Sequence, residues 1–351
     1  MCCSGRHDRR GARDLALHAA RALRRAAAGG RVRAQVGGSL VIVDNGKVIE
    51  QRGWGIALES PRLNTHEAVT EATRFQAASL SKTVNALVVL SMVRDGLLSL
   101  DDPVNAHLRT WKLPGDAERV TLHRLLSHTG GISVHGFQGY CYKDPRPTLV
   151  ETLEGTEPAN NKPIRIATKI GAYSYSGGGS TILQQLLIDR TDKPYAELAT
   201  ERVLKPLGMT ASHFDQPPRD AGHHVEGYDE DGEVGGYRVY PELAAAGLWT
   251  TPSDFARVLW AIADSVKGSP GALLPKALAR EMVTPVAEDS ALGIYVDGRG
   301  RYHHTGTNHG FKSWYRISPG TGRGVVIMTN GENCGLVCKA LRKKCAMLYG
   351  V

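Results

Sequence analysis

Two β-rich runs, residues 38–43 and 47–51, flank Asp44-Asn45-Gly46, and an Asn-Gly dipeptide between such runs predicts a hairpin. Residues 82–96 follow as a helix that is apolar on most sides and stops at Asp95-Gly96. From 120 to 260 the pattern is mainly helical and broken by Gly and Pro, with helices expected at 181–189, 195–204 and 253–264. Late in the chain 292–296, 314–318 and 324–329 read as strands, and a helix over 335–348 closes the protein. A lone hairpin is too small to stand alone, so its natural partners are the late strands. The order strands, helices, strands, helix therefore predicts an α+β protein. An α/β lobe with an antiparallel sheet is built from about 36–78 and 288–351, a mainly helical lobe from about 79–287, and a cleft lies between them.

Composition narrows the class without changing that picture. The chain has 351 residues, 42% hydrophobic and 22% charged, which excludes long disordered, collagen-like and disulfide-scaffold proteins. The longest membrane-span candidate, 84–93, is about half the roughly 20 residues required, so no transmembrane segment is expected. No secretory signal core is visible, and the cytoplasm is the default compartment. The net charge of +8 invites a nucleic-acid reading. Its distribution argues against one, because nine Arg and only two Asp lie in residues 1–35. That segment reads as a basic extension with a short helix over 15–28, suited at most to weak contact with an anionic surface. Residues 36–351 form the expected single catalytic domain. Six cysteines lack a second metal-ligand pair at short spacing and read as buried free thiols.

Three short segments carry candidate chemistry. In Ser79-Leu-Ser-Lys82 the serine opens the apolar helix and the lysine lies three residues on, so both side chains share a face. A neutral lysine can take the serine proton, and the helix N-terminus offers N–H groups to an oxyanion. The same residues equally suit a helix-capping serine and a solvated lysine. Tyr175 precedes Gly177-Gly178-Gly179 on an apparent glycine-rich loop, either with a hydroxyl free to move a proton or as a packed turn aromatic. His303-His304-Thr305-Gly306-Thr307 follows strand signals, and Gly306 would let a substrate approach the strand edge.

Together these segments resemble the serine β-lactamase/penicillin-binding-protein superfamily, in its class C-like serine hydrolase branch. Connecting stretches at 96–103, 125–131, 247–254 and 324–330 match in order and spacing. The resemblance implies the β-lactamase/transpeptidase-like fold and a two-step acyl transfer on an ester or amide without metal or organic cofactor. It implies Ser79 as acylated nucleophile, Lys82 as proton acceptor and Tyr175 as proton shuttle. His304-Thr305-Gly306 stands in place of the family's Lys-Thr-Gly, and the oxyanion hole would be the backbone N–H groups of Ser79 and Thr307.

Two departures bear on substrate. Gly177 replaces an asparagine common in β-lactam-destroying members, and His304 replaces a lysine whose cation would hold a substrate carboxylate. Both favour an esterase, amidase or D-amino-acid peptidase acting on a small ester, amide or short peptide over an efficient β-lactamase or D-Ala-D-Ala carboxypeptidase. An acyltransferase using the same acyl-enzyme, and a catalytically silent scaffold or acyl-binding sensor, are the alternatives. His128 is expected to be a loop hydrogen bonder, and residues 136–147 and 216–241 to line the cleft.

Overall fold

Strand β1 (Gly38–Asp44) is buried on both faces, so it reads as an unbroken apolar run rather than an alternating one. Leu40 and Ile42 point to one side and Val41 and Val43 to the other, as the two-residue repeat of a strand requires. β1 turns through Asn45-Gly46 into β2 (Lys47–Trp54), and both turn residues have positive φ, as a tight hairpin turn needs. The computed structural model describes residues 37–60, 65–218, 224–231 and 234–350. The helix expected at 15–28, the basic extension and Cys2 and Cys3 lie outside them.

The late strands are β3 (Tyr295–Val296), β4 (Tyr302–Asn308), β5 (Phe311–Ser318) and β6 (Arg323–Thr329). The sheet order is β2-β1-β6-β5-β4-β3, antiparallel throughout. The hairpin does join the late strands, through β1 on β6 in the register Gly38↔Thr329 to Asp44↔Arg323. Residues 292–294 are outside the strand expected there, and only Tyr295 and Val296 pair.

The main helices are α1 (Ser81–Arg94), α2 (Gly177–Thr191), α3 (Leu243–Ala246), α4 (Pro252–Lys267) and α5 (Gly335–Tyr349). α5 covers one sheet face, packing Val337, Cys338, Leu341 and Cys345 on Leu40, Ile42, Trp314 and Ile327. The other face meets the helices, in a core that runs unbroken from Val41 and Val326 through α1 to Leu186 and Leu259. α4 falls inside the stretch expected for the helical lobe, yet it packs directly on β1 and β6. Its cap is Thr251, whose side chain accepts from Asp254 N–H, with Pro252 opening the helix. The thiols divide: Cys334, Cys338 and Cys345 are buried and free, whereas Cys141 is exposed, because it lies on a short edge pairing with Arg238. Among the described residues no helix is long and apolar enough to cross a membrane.

α1 is buried almost throughout, which explains a sequence with no polar face. Thr83 fixes it to the sheet, donating to Gly293 O at 2.9 Å and lying 3.0 Å from Tyr315 OH. Gly293 itself admits no side chain, since a Cβ would lie 2.5 Å from Ala86 Cβ and 2.9 Å from Lys82 O. α1, with Lys82 in its first turn, is thereby fixed against β5 and the Gly293 backbone.

Candidate active site

Ser79 lies in the single turn Ala78–Leu80 that leads into α1. This turn is pinned from three sides. Ala77 N–H donates to Leu248 O at 2.8 Å, Ser81 Oγ donates to Ala78 O at 2.6 Å, and Ser313 Oγ donates to Ala77 O at 2.7 Å. Ala78, directly before Ser79, holds φ +50°, a strained conformation for a residue with a Cβ, and the three anchors maintain it.

Lys82 is 4% exposed and donates from Nζ to Ser79 Oγ at 3.1 Å and to Ala245 O of α3 at 2.7 Å. Tyr175 OH donates to the same Ser79 Oγ at 2.9 Å. The structure therefore brings together Ser79, Lys82 and Tyr175, although Tyr175 lies 96 positions beyond Ser79 in sequence. Tyr175 does not sit on a glycine-rich loop, as the sequence suggested. Gly177–Gly179 form the first turn of α2, with Ser176 as N-cap accepting from Gly179 N–H at 3.0 Å. The glycines are there for space. A Cβ on Gly178 would lie 2.6 Å from Ser133 O, and one on Gly177 would lie 3.0 Å from the Phe137 ring and 3.1 Å from His135 O. Phe137 thus packs directly over Gly177.

The Tyr175 ring is clamped by His128 at 4.4 Å and His135 at 4.7 Å between centroids. His128 accepts from Ser176 N–H through Nδ1 at 3.3 Å, so it is the loop hydrogen bonder expected and also a wall of the site. Burial, and then the positive charge of Lys82, hold its pKa well below the usual imidazole value.

β4 forms the opposite wall. Gly306 is squeezed against the nucleophile turn: a Cβ would lie 2.2 Å from Ser313 Oγ and 2.5 Å from Ala77 O. Thr305 and Thr307 are exposed, and with Ser79, Lys82, Tyr175 and His304 they line a cavity of about 570 Å³. His304 is buried and donates from Nδ1 to Thr305 O at 2.6 Å, which fixes Nε2 as the unprotonated nitrogen. Burial, then Lys82, depress its pKa to about 3, so the ring is neutral at any ordinary pH. The expected place of a substrate-holding lysine is thus filled by a neutral, buried ring.

Sequence reasoning missed several cavity residues. Tyr173 and Tyr295 meet OH to OH at 2.8 Å, and Asn308 ties β4 to Gln76 Oε1 and Ala246 O. Asn308 was legible as the position four beyond His304 on one strand face; Tyr295 carried no signal. Of the two stretches expected at the cleft, Gly136 and Phe137 line it, while no described residue of 216–241 does, and Ala245 and Ala246 stand there instead. The described part of 216–241 is drawn off by Val239 pairing with Tyr140 and by Gln216 bonding to Gly247.

The sequence pattern of the family described as Beta-lactamase matches residues 23–338. The chain belongs to the beta-lactamase family. Protein flp of Staphylococcus aureus (strain N315) is 26% identical over 311 residues, covering 84% of this chain and 59% of flp. The chain thus spans about three fifths of that relative's length. The putative penicillin-binding protein PbpX of Bacillus subtilis (strain 168) is 24% identical, over 84% of this chain and 71% of its own. In fold, the octameric penicillin-binding protein homologue from Pyrococcus abyssi is similar with a TM-score of 0.77 at 22% identity, covering 96% of this chain and 78% of that one. A class C beta-lactamase gives 0.72 at 19% identity, over 98% and 99% of the two chains. The D-amino acid amidase from Ochrobactrum anthropi SV3 gives 0.71 at 21%, over 94% and 99%. The β-lactamase-like fold, an antiparallel sheet with helices on both faces, is shared by all three.

Proposed function

We propose that this protein is a serine hydrolase that cleaves ester or amide bonds through an acyl-enzyme on Ser79. The observation that carries the reading is the convergence of Lys82 Nζ and Tyr175 OH on one serine oxygen. Lys82 keeps an N–H on Ala245 O and, in the reacting form that has given up one proton, turns its lone pair to the Ser79 proton, so Oγ attacks the carbonyl carbon as that proton leaves. The oxyanion forms against the backbone N–H groups of Ser79 and Thr307, at the start of α1 and the edge of β4. Tyr175 passes a proton to the leaving alcohol or amine and later takes one from the water that attacks the acyl-Ser79 carbonyl, while Lys82 returns its proton to Ser79 Oγ as the acyl group leaves.

β-Lactams and D-Ala-D-Ala peptides present a carboxylate that needs a cation. Lys82 is committed to Ser79 and Ala245, and no other lysine or arginine lines the cavity among the described residues. The reading therefore favours substrates without that carboxylate. Hydrolysis of short p-nitrophenyl esters by the wild type, abolished in Ser79→Ala, is the expected result, with slow nitrocefin turnover beside it. Ester hydrolysis that survives Ser79→Ala would overturn the assignment.

A further inference from the structure

The apolar lining of the cleft falls into two contact groups. Phe137 packs against Ala245 and Ala246, whereas Tyr173, Tyr295 and His303 hold one another. The Tyr173 and Tyr295 hydroxyls lie 2.8 Å apart, and their rings stand at 78° with centroids 6.4 Å apart. His303 lies near-parallel to Tyr295, at 24° and 5.7 Å. All three are half-buried and line the cavity, so part of each side chain stays open to a ligand. None takes part in the steps proposed above. We propose that Tyr173, Tyr295 and His303 form a subsite for a flat, uncharged aromatic group carried by the substrate. The kinetic form of this claim rests on the acyl-enzyme reading above.

Two rings held near a right angle make a corner. A third ring lying in it meets the face of one and the edge of the other, which the opposite charge of a ring's face and edge favours. A saturated ring fills the same space without that attraction. The corner is also built in advance. The hydroxyl pair ties the segment before α2 to β3, and the pairing of Tyr295 with His303 ties β3 to β4, so little side-chain freedom is left to lose on binding. The three rings carry no charge near pH 7. Burial pushes both phenol pKa values up, and burial, then Arg316, holds His303 below the usual imidazole value. Ring faces attract cations too, but the cleft already holds Lys82, and no aspartate or glutamate lines it among the described residues. A cationic group would therefore add to an unbalanced positive charge. An anionic one would face ring clouds and a lysine committed to Ser79 and Ala245.

The test compares esters matched in size. Benzyl acetate against cyclohexylmethyl acetate varies the alcohol, and ethyl phenylacetate against ethyl cyclohexylacetate varies the acyl group. Each kcat/KM, followed by proton release, is divided by the ester's own rate of hydroxide-catalysed hydrolysis. On wild type the aromatic member should lead by at least about 5-fold in one pair, the size expected of two ring contacts, and that pair identifies the half of the substrate that enters the corner. In Tyr295→Leu the ratio should fall to near one, while Tyr295→Phe, which keeps the ring and loses only the hydroxyl pair, retains most of it. Circular dichroism and melting temperature establish that both variants are folded. Calorimetric binding of N-benzylacetamide, N-(cyclohexylmethyl)acetamide, phenylacetamide and cyclohexylacetamide to Ser79→Ala supplies a readout without turnover. An aromatic preference there together with absent turnover would count against the acyl-enzyme reading alone. Ratios near one in both pairs, acetylcholine outpacing benzyl acetate, or an aromatic preference unaltered in Tyr295→Leu would overturn the subsite.

Discussion

The two walls of the cleft differ in how completely their polar atoms are paired. On the α1 side Ser79, Lys82 and Tyr175 form a closed set, and Lys82 is anchored again on Ala245. On the β4 side His304 Nε2 is buried and unpaired. The first wall is organised before any ligand arrives, as a group that must move protons along fixed paths has to be. The second keeps a buried acceptor unpaired, at a cost in stability. The difference follows the elements, a helix start on one side and a strand edge on the other. They touch at Gly306, the residue that brings β4 against Ala77.

Breaking the closed wall should have the largest effect. Lys82→Met and Tyr175→Phe each remove one partner of Ser79 Oγ, and ester kcat/KM should fall by about 10²–10⁴-fold, with the double variant falling far less than the product of the two. Comparable activity in either single variant would mean that the hydrogen bond it lost is only structural.

Next comes the seam between the walls. In Gly306→Ala the new Cβ meets backbone at Ala77 O, which cannot swing aside, so β4 must withdraw. A displacement of order 1 Å costs about 100-fold in kcat, measurable on the same esters. Gly177→Asn probes the opposite question, whether the residue missing from the family pattern can simply be returned. Phe137 and the His135 carbonyl stand 3.0 and 3.1 Å from the new Cβ and must both give by a few tenths of an ångström, so the expected result is a loss of about 1–3 kcal/mol in denaturant titration and no gain in nitrocefin turnover.

The last effect is on stability alone and concerns Glu242, at the N-terminal edge of α3, the helix that anchors Lys82. It is fully buried, neither carboxylate oxygen is paired with another residue, and burial raises its pKa to about 7. Between about pH 4.5 and 7 the folded chain binds the extra proton, so this group makes stability fall as pH rises through that window. His304 works in the other direction. Its folded pKa is depressed, so the unfolded chain binds the extra proton below pH 6.5, and stability falls as the pH drops from there toward 3. Glu242→Gln should therefore gain stability relative to wild type between pH 5 and pH 8, by up to about 3 kcal/mol in urea titrations. A difference independent of pH would show that Glu242 is charged throughout.

Much of this arrangement was legible in the sequence because local signals and the global fold agree. The Asn45-Gly46 turn, the unbroken apolar run of β1 and the Asp95-Gly96 stop each describe one element, and each element formed. Ser79 and Lys82 were legible together because a helix fixes a three-residue spacing. Tyr175 was found by motif, but its setting was misread, since three consecutive glycines look like a loop and only the contacts of Phe137 and Ser133 explain a glycine helix turn. What pairs with what across the cleft was not legible. The bond of Lys82 to Ala245 and the tautomer of His304 depend on side-chain positions set by tertiary packing over 163 residues and by one carbonyl at 2.6 Å.

The account stands or falls on the reactivity of Ser79. The direct measurement is intact mass after treatment with a fluorophosphonate probe, with peptide mapping, in wild type, Ser79→Ala and Lys82→Met. The expected result is one adduct on Ser79 in the wild type, slowed severely in Lys82→Met and absent in Ser79→Ala. A wild type that gains no mass, or an adduct that persists at another residue in Ser79→Ala, would contradict it.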